Sequence, residues 1–272
     1  MKKLGIALAG GGARGAYQIG AWKALAELGL VDKISAYSGA SVGSLNAVLY
    51  AAGDYEIAKN IWLNLDKNSL FNIEKNIFKR IYHEKLEFFD LGVYSTNKLE
   101  KLIDETIDFE KLKDKEVYIA TTYLGGEKST FFDLLNINIK HYFKDDNQTT
   151  YHLLKHLDSE KIKKILLASC AIPVVFRPVT IGNETFYDGG ILDNTPYQPL
   201  IDAGCDVIII IDLFKSSFIK KKPVQGVKLI TVNPKRSLRG VLDFNNKYIV
   251  RRLEHGYKDT LDKIGKHLDL FE

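Results

Sequence analysis

The chain has 272 residues, of which 46% are hydrophobic and 26% charged, and its formal net charge is +4. This composition is typical of a globular protein with a large core, and the small charge does not indicate nucleic-acid binding. No apolar run approaches the ~18 residues of a membrane span. Two cysteines, Cys170 and Cys205, are too few for a disulfide framework, and we expect buried thiols in a reducing, cytoplasmic setting.

The first 52 residues alternate between strand and helix patterns. Leu4–Ala9 predicts a strand, because it is shorter than the ~7–15 apolar residues of a signal peptide and runs directly into a glycine-rich loop. A helix is predicted from Arg14 to Leu28, a second strand over Ile34–Ser38 and a second helix over Val42–Ala52. This spacing is that of a βαβ unit, so the two strands are expected to be parallel.

The stretch from 54 to 107 has a helical pattern and is predicted as a helical insertion in one domain of residues 1–272. Some of its aromatic side chains are candidates for a cap over a functional site, although more of them are expected in the core. These candidates are Phe71, Phe78, Tyr82, Phe88 and Phe89.

The second half of the chain continues the mixture of strands and helices. Strands are predicted at Val117–Tyr123, Ser129–Leu135, Val174–Pro178, Glu184–Tyr187, Val207–Leu213 and Val227–Val232. Helices are predicted at His152–His156, Ile162–Cys170 and Asn245–His267. The pattern as a whole predicts an α/β fold.

Two glycine-rich turns near the start of the chain contain the residues that indicate a catalytic function. Residues 10–15 read GGGARG and residues 39–43 read GASVG; each follows a predicted strand and opens a predicted helix. The second turn has the G-x-S-x-G form, which places the Ser41 hydroxyl on a sharp strand-to-helix turn. Backbone N–H groups of the first turn can hold an oxygen that becomes negative. A nucleophile and an anion-binding loop joined by one crossover indicate acyl transfer.

A serine nucleophile needs a base within hydrogen-bond reach. None of the six histidines lies in a glycine-rich or turn context beside a polar cluster, so each is expected to be a surface or capping residue. Asp188 ends a predicted strand and precedes Gly189-Gly190. On this local evidence, a catalytic carboxylate and an aspartate that merely starts a turn are equally supported.

Four segments occur together in one order: Gly10–Gly15, Gly39–Gly43, Ala168–Pro173 and Asp188–Gly190. With them the chain resembles the bacterial patatin-like phospholipases, over roughly residues 4–52 and 165–212. The resemblance implies a three-layer α/β/α sandwich with a mainly parallel central sheet. It also implies a lipid acyl hydrolase of the phospholipase A or lysophospholipase type, with no metal or cofactor.

Carried over to this sequence, the resemblance implies a dyad in which Ser41 is the nucleophile and Asp188 is its base. Since an aspartate of ordinary pKa, about 3.9, is a weak base, such a dyad would depend on short geometry, partial desolvation and the oxyanion loop. The N–H groups of Gly11 and Gly12 would hold the oxyanion, with Arg14 supporting the loop. The full set implied is Gly10, Gly11, Gly12, Arg14 and Gly15 for the oxyanion loop and Gly39 and Gly43 for the nucleophile elbow.

Three other interpretations remain open. The loop at 10–15 also fits the G-x-G-x-x-G pattern of nucleotide-binding oxidoreductases, but Asp32 precedes the second strand instead of ending it, where it could hold a ribose. The order Ser41, Asp188, His255 fits an α/β-hydrolase triad, although His255 is predicted in mid-helix among charged residues. The third is a non-catalytic protein that keeps the fold to bind lipid.

The expected partner is a lipid or acyl ester substrate, without nucleic acid. The segment 214–222 mixes basic and apolar residues. A solvated loop is the favoured interpretation of this segment, and transient contact with an anionic membrane surface is the alternative. The predicted location is accordingly cytoplasmic, peripheral to the membrane where that contact is made.

Overall fold

A mixed sheet of eight strands organises the protein, whose computed structural model describes residues 2–65, 96–124, 147–172, 176–215 and 224–271. The strands are β1 (Leu4–Leu8), β2 (Ile34–Ala40), β3 (Glu116–Leu124), β4 (Asn147–Leu153), β5 (Val179–Ile181), β6 (Glu184–Asp188), β7 (Val207–Ile211) and β8 (Lys228–Val232). Strands β3, β2, β1, β7 and β8 are parallel in that spatial order. Both β4 and β6 pair antiparallel with β3, and β5 pairs antiparallel with β6.

Helices cover both faces of this sheet. Within the described residues they are α1 (Ala16–Glu27), α2 (Val42–Ala52), α3 (Tyr55–Asn64), α4 (Asn97–Thr106), α5 (Ser159–Ser169), α6 (Gln198–Asp202) and α7 (Asn246–Ile264). In β7, Ile209 and Ile211 belong to the larger core, whereas Ile208 and Ile210 belong to a smaller core on the opposite face with Leu200 of α6. The protein therefore has a central, mostly parallel sheet between helical layers, as the sequence predicted. In the described ranges, no helix is long and apolar enough to cross a bilayer.

One edge of β3 is shared by two strands that approach from opposite directions. β2 pairs in parallel with β3 as far as Ala120, which lies opposite Ala40, while β6 pairs antiparallel from Thr121, which lies opposite Asp188. β4 pairs with both Ala120 and Thr121, so it occupies the other edge. Because a strand residue has two lateral neighbours, the ends of β2 and β6 meet beside the Ala120–Thr121 peptide.

The predicted βαβ start, the helix within 162–170 and the last helix are confirmed, but two other predictions are wrong. The helix expected at 152–156 is not formed, because His152 and Leu153 belong to β4. Of the strand expected at 174–178, residues 174 and 175 lie outside the described ranges and residues 176–178 are not in a strand; a strand forms instead at Val179–Ile181, where it pairs with β6 around the expected Gly182-Asn183 turn. The first correction depends on pairing of β4 with the distant strand β3, which a local pattern does not record.

Several predictions concern residues outside the described ranges. These are the strand at 129–135, the middle of the proposed helical insertion and the five aromatic cap candidates. The two ends of the insertion are helical, as α3 and α4. The organisation as one domain with an insertion at 54–107 stays a prediction.

Candidate active site

Ser41 lies on the sharp turn between β2 and α2, with a φ of +52° that side-chain-bearing residues rarely adopt. Glycines make this turn possible. A Cβ atom on Gly39 would lie 2.2 Å from the carbonyl oxygen of Gly43, and one on Gly43 would lie 2.2 Å from that of Leu8. The two glycines predicted to form an elbow are therefore required by the close approach of backbone to backbone.

The Ser41 hydroxyl donates a hydrogen bond to Oδ2 of Asp188 over 2.7 Å. The other carboxylate oxygen, Oδ1, accepts the Gly190 N–H at 2.8 Å. Both side chains are buried, with 8% of Ser41 and 5% of Asp188 exposed. Burial raises the pKa of Asp188 to about 7, even though the hydrogen bonds from Ser41 and Gly190 favour the charged form. This carboxyl group is consequently a better base at neutral pH than an aspartate of ordinary pKa.

The meeting of β2 and β6 on β3 explains why these two side chains touch. Ser41 directly follows Ala40, the last residue of β2, and Asp188 is the last residue of β6. Their strands end opposite consecutive residues of β3, Ala120 and Thr121. The sheet register therefore places the serine beside the aspartate across 147 residues of sequence.

Ser169, the last residue of α5, hydrogen-bonds to the backbone of the turn that carries Ser41. Its buried hydroxyl accepts the Ser41 N–H at 3.0 Å and donates to the carbonyl oxygen of Ala120 at 2.7 Å. The backbone of Ser41 is thereby linked to Ala120, the residue of β3 where β2 ends. The sequence placed Ser169 in the motif at 168–173 but contained no local signal of this contact.

The glycine loop differs from expectation at Gly10. Its N–H donates to the carbonyl oxygen of Asn194 at 3.1 Å, so Gly10 is not a free oxyanion donor. The Ala13 N–H is also engaged, by the carbonyl oxygen of Val241 at 2.7 Å. Among the described residues, the N–H groups of Gly11 and Gly12 have no protein acceptor. Gly12, at a φ of +54°, lines the same pocket as Ser41.

Asn194 connects the glycine loop to the turn that carries Asp188. Its Nδ2 donates to the carbonyl oxygen of Gly10 at 3.2 Å. A Cβ atom on Gly10 would lie 2.5 Å from its Oδ1, and one on Gly190 would lie 2.7 Å from the same atom. The side chain therefore fills the space that these two glycines leave. Sequence reasoning missed Asn194, because its contact with Gly10 spans 184 residues.

Arg14 and Gly15, at the end of the glycine loop, contact other segments of the protein and have no hydrogen bond to Ser41 or Asp188 among the described residues. The Arg14 Nε donates to the carbonyl oxygen of Arg239 at 2.7 Å, and its guanidinium lies 4.8 Å from the centre of the Phe214 ring. Gly15 is a packing position, since a Cβ atom there would lie 2.7 Å from the Trp62 ring. Both residues support the loop through neighbouring segments.

An apolar pocket opens at Ser41 between α2, α3 and α4 and the segment after α5. Among the described lining residues, most side chains are apolar, and the hydroxyl and amide groups belong to Ser41, Asn46 and Thr106. Its lining residues are Gly12, Ser41, Val42, Leu45, Asn46, Leu49, Ile61, Trp62, Leu65, Leu99, Leu102, Ile103, Thr106, Ile107, Cys170, Ile172, Phe176 and Phe244. A lining of this kind suits a hydrocarbon chain.

Two of the alternative interpretations lack their required residues. In the described part of the chain, no histidine hydrogen-bonds to Ser41 or Asp188, and the direct bond between those two leaves no place for an intervening imidazole. His255 lies on α7, next to Gly256, which packs against the backbone of α1. Asp32 lies before β2, at the opposite end of that strand from the glycine loop, where it cannot hold a ribose beside the loop.

The fold and the site define a class of protein: an α/β structure with a serine on a strand-to-helix turn, hydrogen-bonded directly to a buried aspartate. The family model described as "Patatin-like phospholipase" matches residues 6–201. The chain belongs to this patatin-like phospholipase family.

Named relatives agree with this membership. Lysophospholipase NTE1 of Cryptococcus neoformans is 26% identical over 212 residues, which are 78% of this chain and 11% of that protein. The "Probable lipid hydrolase 463L" of Invertebrate iridescent virus 6 is 25% identical over 193 residues, 70% of this chain and 61% of that protein. The chain thus spans only part of the length of these curated relatives. VipD from Legionella pneumophila has the same fold, with a TM-score of 0.55 at 15% identity over 98% of this chain and 67% of VipD.

Proposed function

We propose that the protein is a lipid acyl hydrolase that cleaves carboxylic esters of phospholipids or lysophospholipids through a dyad of Ser41 and Asp188. The observation that carries the proposal is the 2.7 Å hydrogen bond from the Ser41 hydroxyl to Asp188. Membership of the patatin-like phospholipase family supports the substrate class.

In the first half of the reaction, Asp188 accepts the Ser41 proton while Oγ attacks the ester carbonyl carbon. The carbonyl oxygen becomes negative and is held by the N–H groups of Gly11 and Gly12, whose hydrogen-bonding capacity is not used by described residues. As the tetrahedral intermediate collapses, the protonated Asp188 gives its proton to the leaving alcohol. The raised pKa suits Asp188 to both accepting and returning this proton.

In the second half, water replaces the alcohol. Asp188 removes a proton from this water as its oxygen attacks the acyl carbon on Ser41. The same backbone N–H groups hold the second oxyanion. Collapse releases the fatty acid, and Asp188 returns the proton to Ser41 Oγ.

The apolar pocket is the proposed site for the acyl chain, because it begins at Ser41 and its lining is mainly hydrocarbon. A lipid substrate implies transient contact with a membrane surface. We place this contact at the cytoplasmic face, in accord with two buried cysteine thiols and no disulfide among the described residues.

The test is hydrolysis of p-nitrophenyl esters of graded chain length by the wild type and three variants. Ser41→Ala and Asp188→Asn should each lose at least about a thousandfold in kcat/KM, by analogy with other catalytic nucleophiles and bases. His255→Ala should retain activity and serves as the control. Loss of activity in a folded His255→Ala would restore the triad. An absence of wild-type turnover, on these esters and on phospholipid vesicles, would favour the non-catalytic lipid-binding protein.

A further inference from the structure

Residues 238–244, here called the strap, lie directly on the glycine loop. The carbonyl oxygen of Val241 accepts the Ala13 N–H at 2.7 Å, and the carbonyl oxygen of Arg239 accepts Nε of Arg14 at 2.7 Å. The contact is close, because a Cβ atom on Gly12 would lie 2.3 Å from the Val241 oxygen. The strap and the proposed oxyanion loop are therefore in direct backbone contact.

A buried cation fixes the strap to this loop. The guanidinium of Arg252, with 2% of the residue exposed, donates to three strap carbonyl oxygens, those of Leu238, Gly240 and Asp243, at 2.7 to 3.2 Å. It also donates to the carbonyl oxygen of Ala13 at 3.0 Å. Since a buried charge is unfavourable unless it is hydrogen-bonded, this arrangement holds strap and loop as a unit.

The outer side of the strap is apolar, although it faces solvent. Val241 is 39% exposed and Leu242 is 41% exposed. Phe214, at 36% exposed, flanks the loop on a second segment. The strap ends at Phe244, which is buried and lines the acyl pocket together with Gly12. The strap therefore has exposed apolar residues at its middle and a lining residue of the Ser41 pocket at its end.

The segments that carry these apolar side chains also carry exposed basic residues. Lys215, Arg236 and Arg239 are exposed, and Arg14 lies over the Phe214 ring. Of the two carboxylates on the same segments, Asp212 is buried and Asp243 is half-buried. Exposed cations beside apolar side chains are the combination that binds anionic lipid surfaces.

We propose that Phe214, Val241 and Leu242 dock the protein on an anionic lipid surface, with the neighbouring cations on the head groups. A lipid acyl chain then reaches Ser41 by passing between Gly12 and Phe244. This inference rests on the proposed function and identifies the surface by which the protein would bind its lipid substrate. The docking element is the strap fixed by Arg252, with Phe214 beside it.

Binding to vesicles tests the proposal without turnover. All proteins carry Ser41→Ala, so that no lipid is hydrolysed, and binding is measured by co-sedimentation with vesicles of phosphatidylcholine containing 30 mol% phosphatidylglycerol or none. Val241→Ser/Leu242→Ser should weaken binding to the anionic vesicles by about tenfold or more, and Arg236→Gln/Arg239→Gln should do the same at low salt. Vesicles of phosphatidylcholine alone should bind less of the parent protein.

Matched controls come from the opposite end of the sheet and from a distant helix. Leu153→Ser/Leu268→Ser removes two side chains of similar exposure near the amino ends of the parallel strands. Lys161→Gln/Lys164→Gln removes two exposed charges from α5. Neither control should change vesicle binding.

Unchanged vesicle binding by both Val241→Ser/Leu242→Ser and Arg236→Gln/Arg239→Gln would overturn the proposal, as would an absence of binding to anionic vesicles by the parent protein. A dimer in solution that Val241→Ser/Leu242→Ser dissociates would also overturn it, because the surface would then belong to a second copy of the chain. Hydrolysis of a soluble short-chain ester by the protein with Ser41 intact is measured separately. Its failure would contradict the proposed enzyme and leave the binding result to stand alone.

Discussion

The hydroxyl of Ser169 lies between the Ser41 N–H, 3.0 Å away, and the carbonyl oxygen of Ala120, 2.7 Å away. It therefore holds the backbone of a residue with an unfavourable φ of +52°. We predict that Ser169→Ala lowers kcat by about 10- to 100-fold and changes KM less than about threefold, because the proposed nucleophile Ser41 loses its orientation while the pocket is kept. Steady-state kinetics on a p-nitrophenyl ester measure this split.

A control for Ser169→Ala is Ser38→Ala. Ser38 is equally buried and donates to the carbonyl oxygen of Pro196, with no contact to Ser41. Each substitution should lower the free energy of unfolding by about 1 kcal/mol. Equal losses of kcat in both variants would show that Ser169 acts only through general stability.

The pH dependence of the reaction should follow Asp188. The carboxyl group must be ionised to accept the Ser41 proton, and burial raises its pKa to about 7. In the free enzyme, kcat/KM should rise about tenfold per pH unit below pH 7 and level off above it. A pH–rate profile from 5 to 9, with circular dichroism at each pH, measures this. A flat profile between pH 5 and 8 would show that the pKa is not raised.

The same pKa predicts that Asp188 destabilises the folded protein at alkaline pH. Between pH 4 and 7 the folded state holds a proton that the unfolded chain has lost, so the free energy of unfolding falls as pH rises. Asp188→Asn should increase that free energy by about 1–3 kcal/mol at pH 8 and much less at pH 4. Urea unfolding at both pH values gives the difference.

Asp262 provides a comparison, because its pKa is shifted in the opposite direction to that of Asp188. Hydrogen bonds from Lys235 and Lys266 lower the pKa of this carboxyl to about 2. Its stabilising contribution is therefore present above pH 4 and lost as pH falls toward 2. Asp262→Asn should not stabilise the protein at pH 8. Stabilisation by both substitutions would point to a general charge effect.

Gly43 and Gly265 should respond oppositely to alanine. At Gly43 a Cβ atom would lie 2.2 Å from the Leu8 carbonyl oxygen, so the elbow must move, and we expect a loss of about 3 kcal/mol or more. Gly265 has a φ of −55° and no heavy atom within 4 Å of an added Cβ. Gly265→Ala should be neutral or stabilise by up to about 1 kcal/mol. Thermal unfolding measures both, and a tolerated Gly43→Ala would contradict the tight elbow.

Filling the pocket should change the preferred acyl chain. Leu102 of α4 lines the pocket and is only partly buried. Leu102→Trp should lower kcat/KM for a p-nitrophenyl ester of twelve carbons about tenfold relative to one of four carbons, because the longer chain needs the occupied volume. The control is Lys101→Trp, an exposed position on the same helix. An unchanged ratio in Leu102→Trp would place the acyl chain elsewhere.

Much of the proposed dyad could be predicted from the sequence, because the glycines beside Ser41 and Asp188 reflect local steric requirements. Gly39 and Gly43 admit close backbone contacts, and Gly189-Gly190 marked Asp188 as one candidate, which only the resemblance of four segments together made the expected base. The raised pKa of Asp188 could not be predicted, since it results from burial in the assembled protein. The participation of Ser169 and Asn194, and the use of the Gly10 N–H, likewise depend on contacts across more than 100 residues.

In the fold, too, features set by the local sequence could be predicted, and features set by long-range pairing could not. The bounds of α2 were predicted to the residue, because an apolar helix between two glycines is a short-range pattern. The segment of β4 at 152–153 was predicted as helix, since its leucines suit either structure. Its strand conformation follows from seven pairings with β3, where Tyr118 lies opposite Leu153. The sequence contained no sign of that register.

The junction on β3 links catalysis to the order of assembly. Strands β1, β2 and β3 position Ser41, but Asp188 reaches it only when β6 pairs with β3, which closes an intervening segment of more than 60 residues into a loop. A partly folded chain with a native-like βαβ start would therefore contain Ser41 without Asp188. If the two residues act as proposed, such a chain would be inactive, and the appearance of activity during refolding would report this long-range pairing.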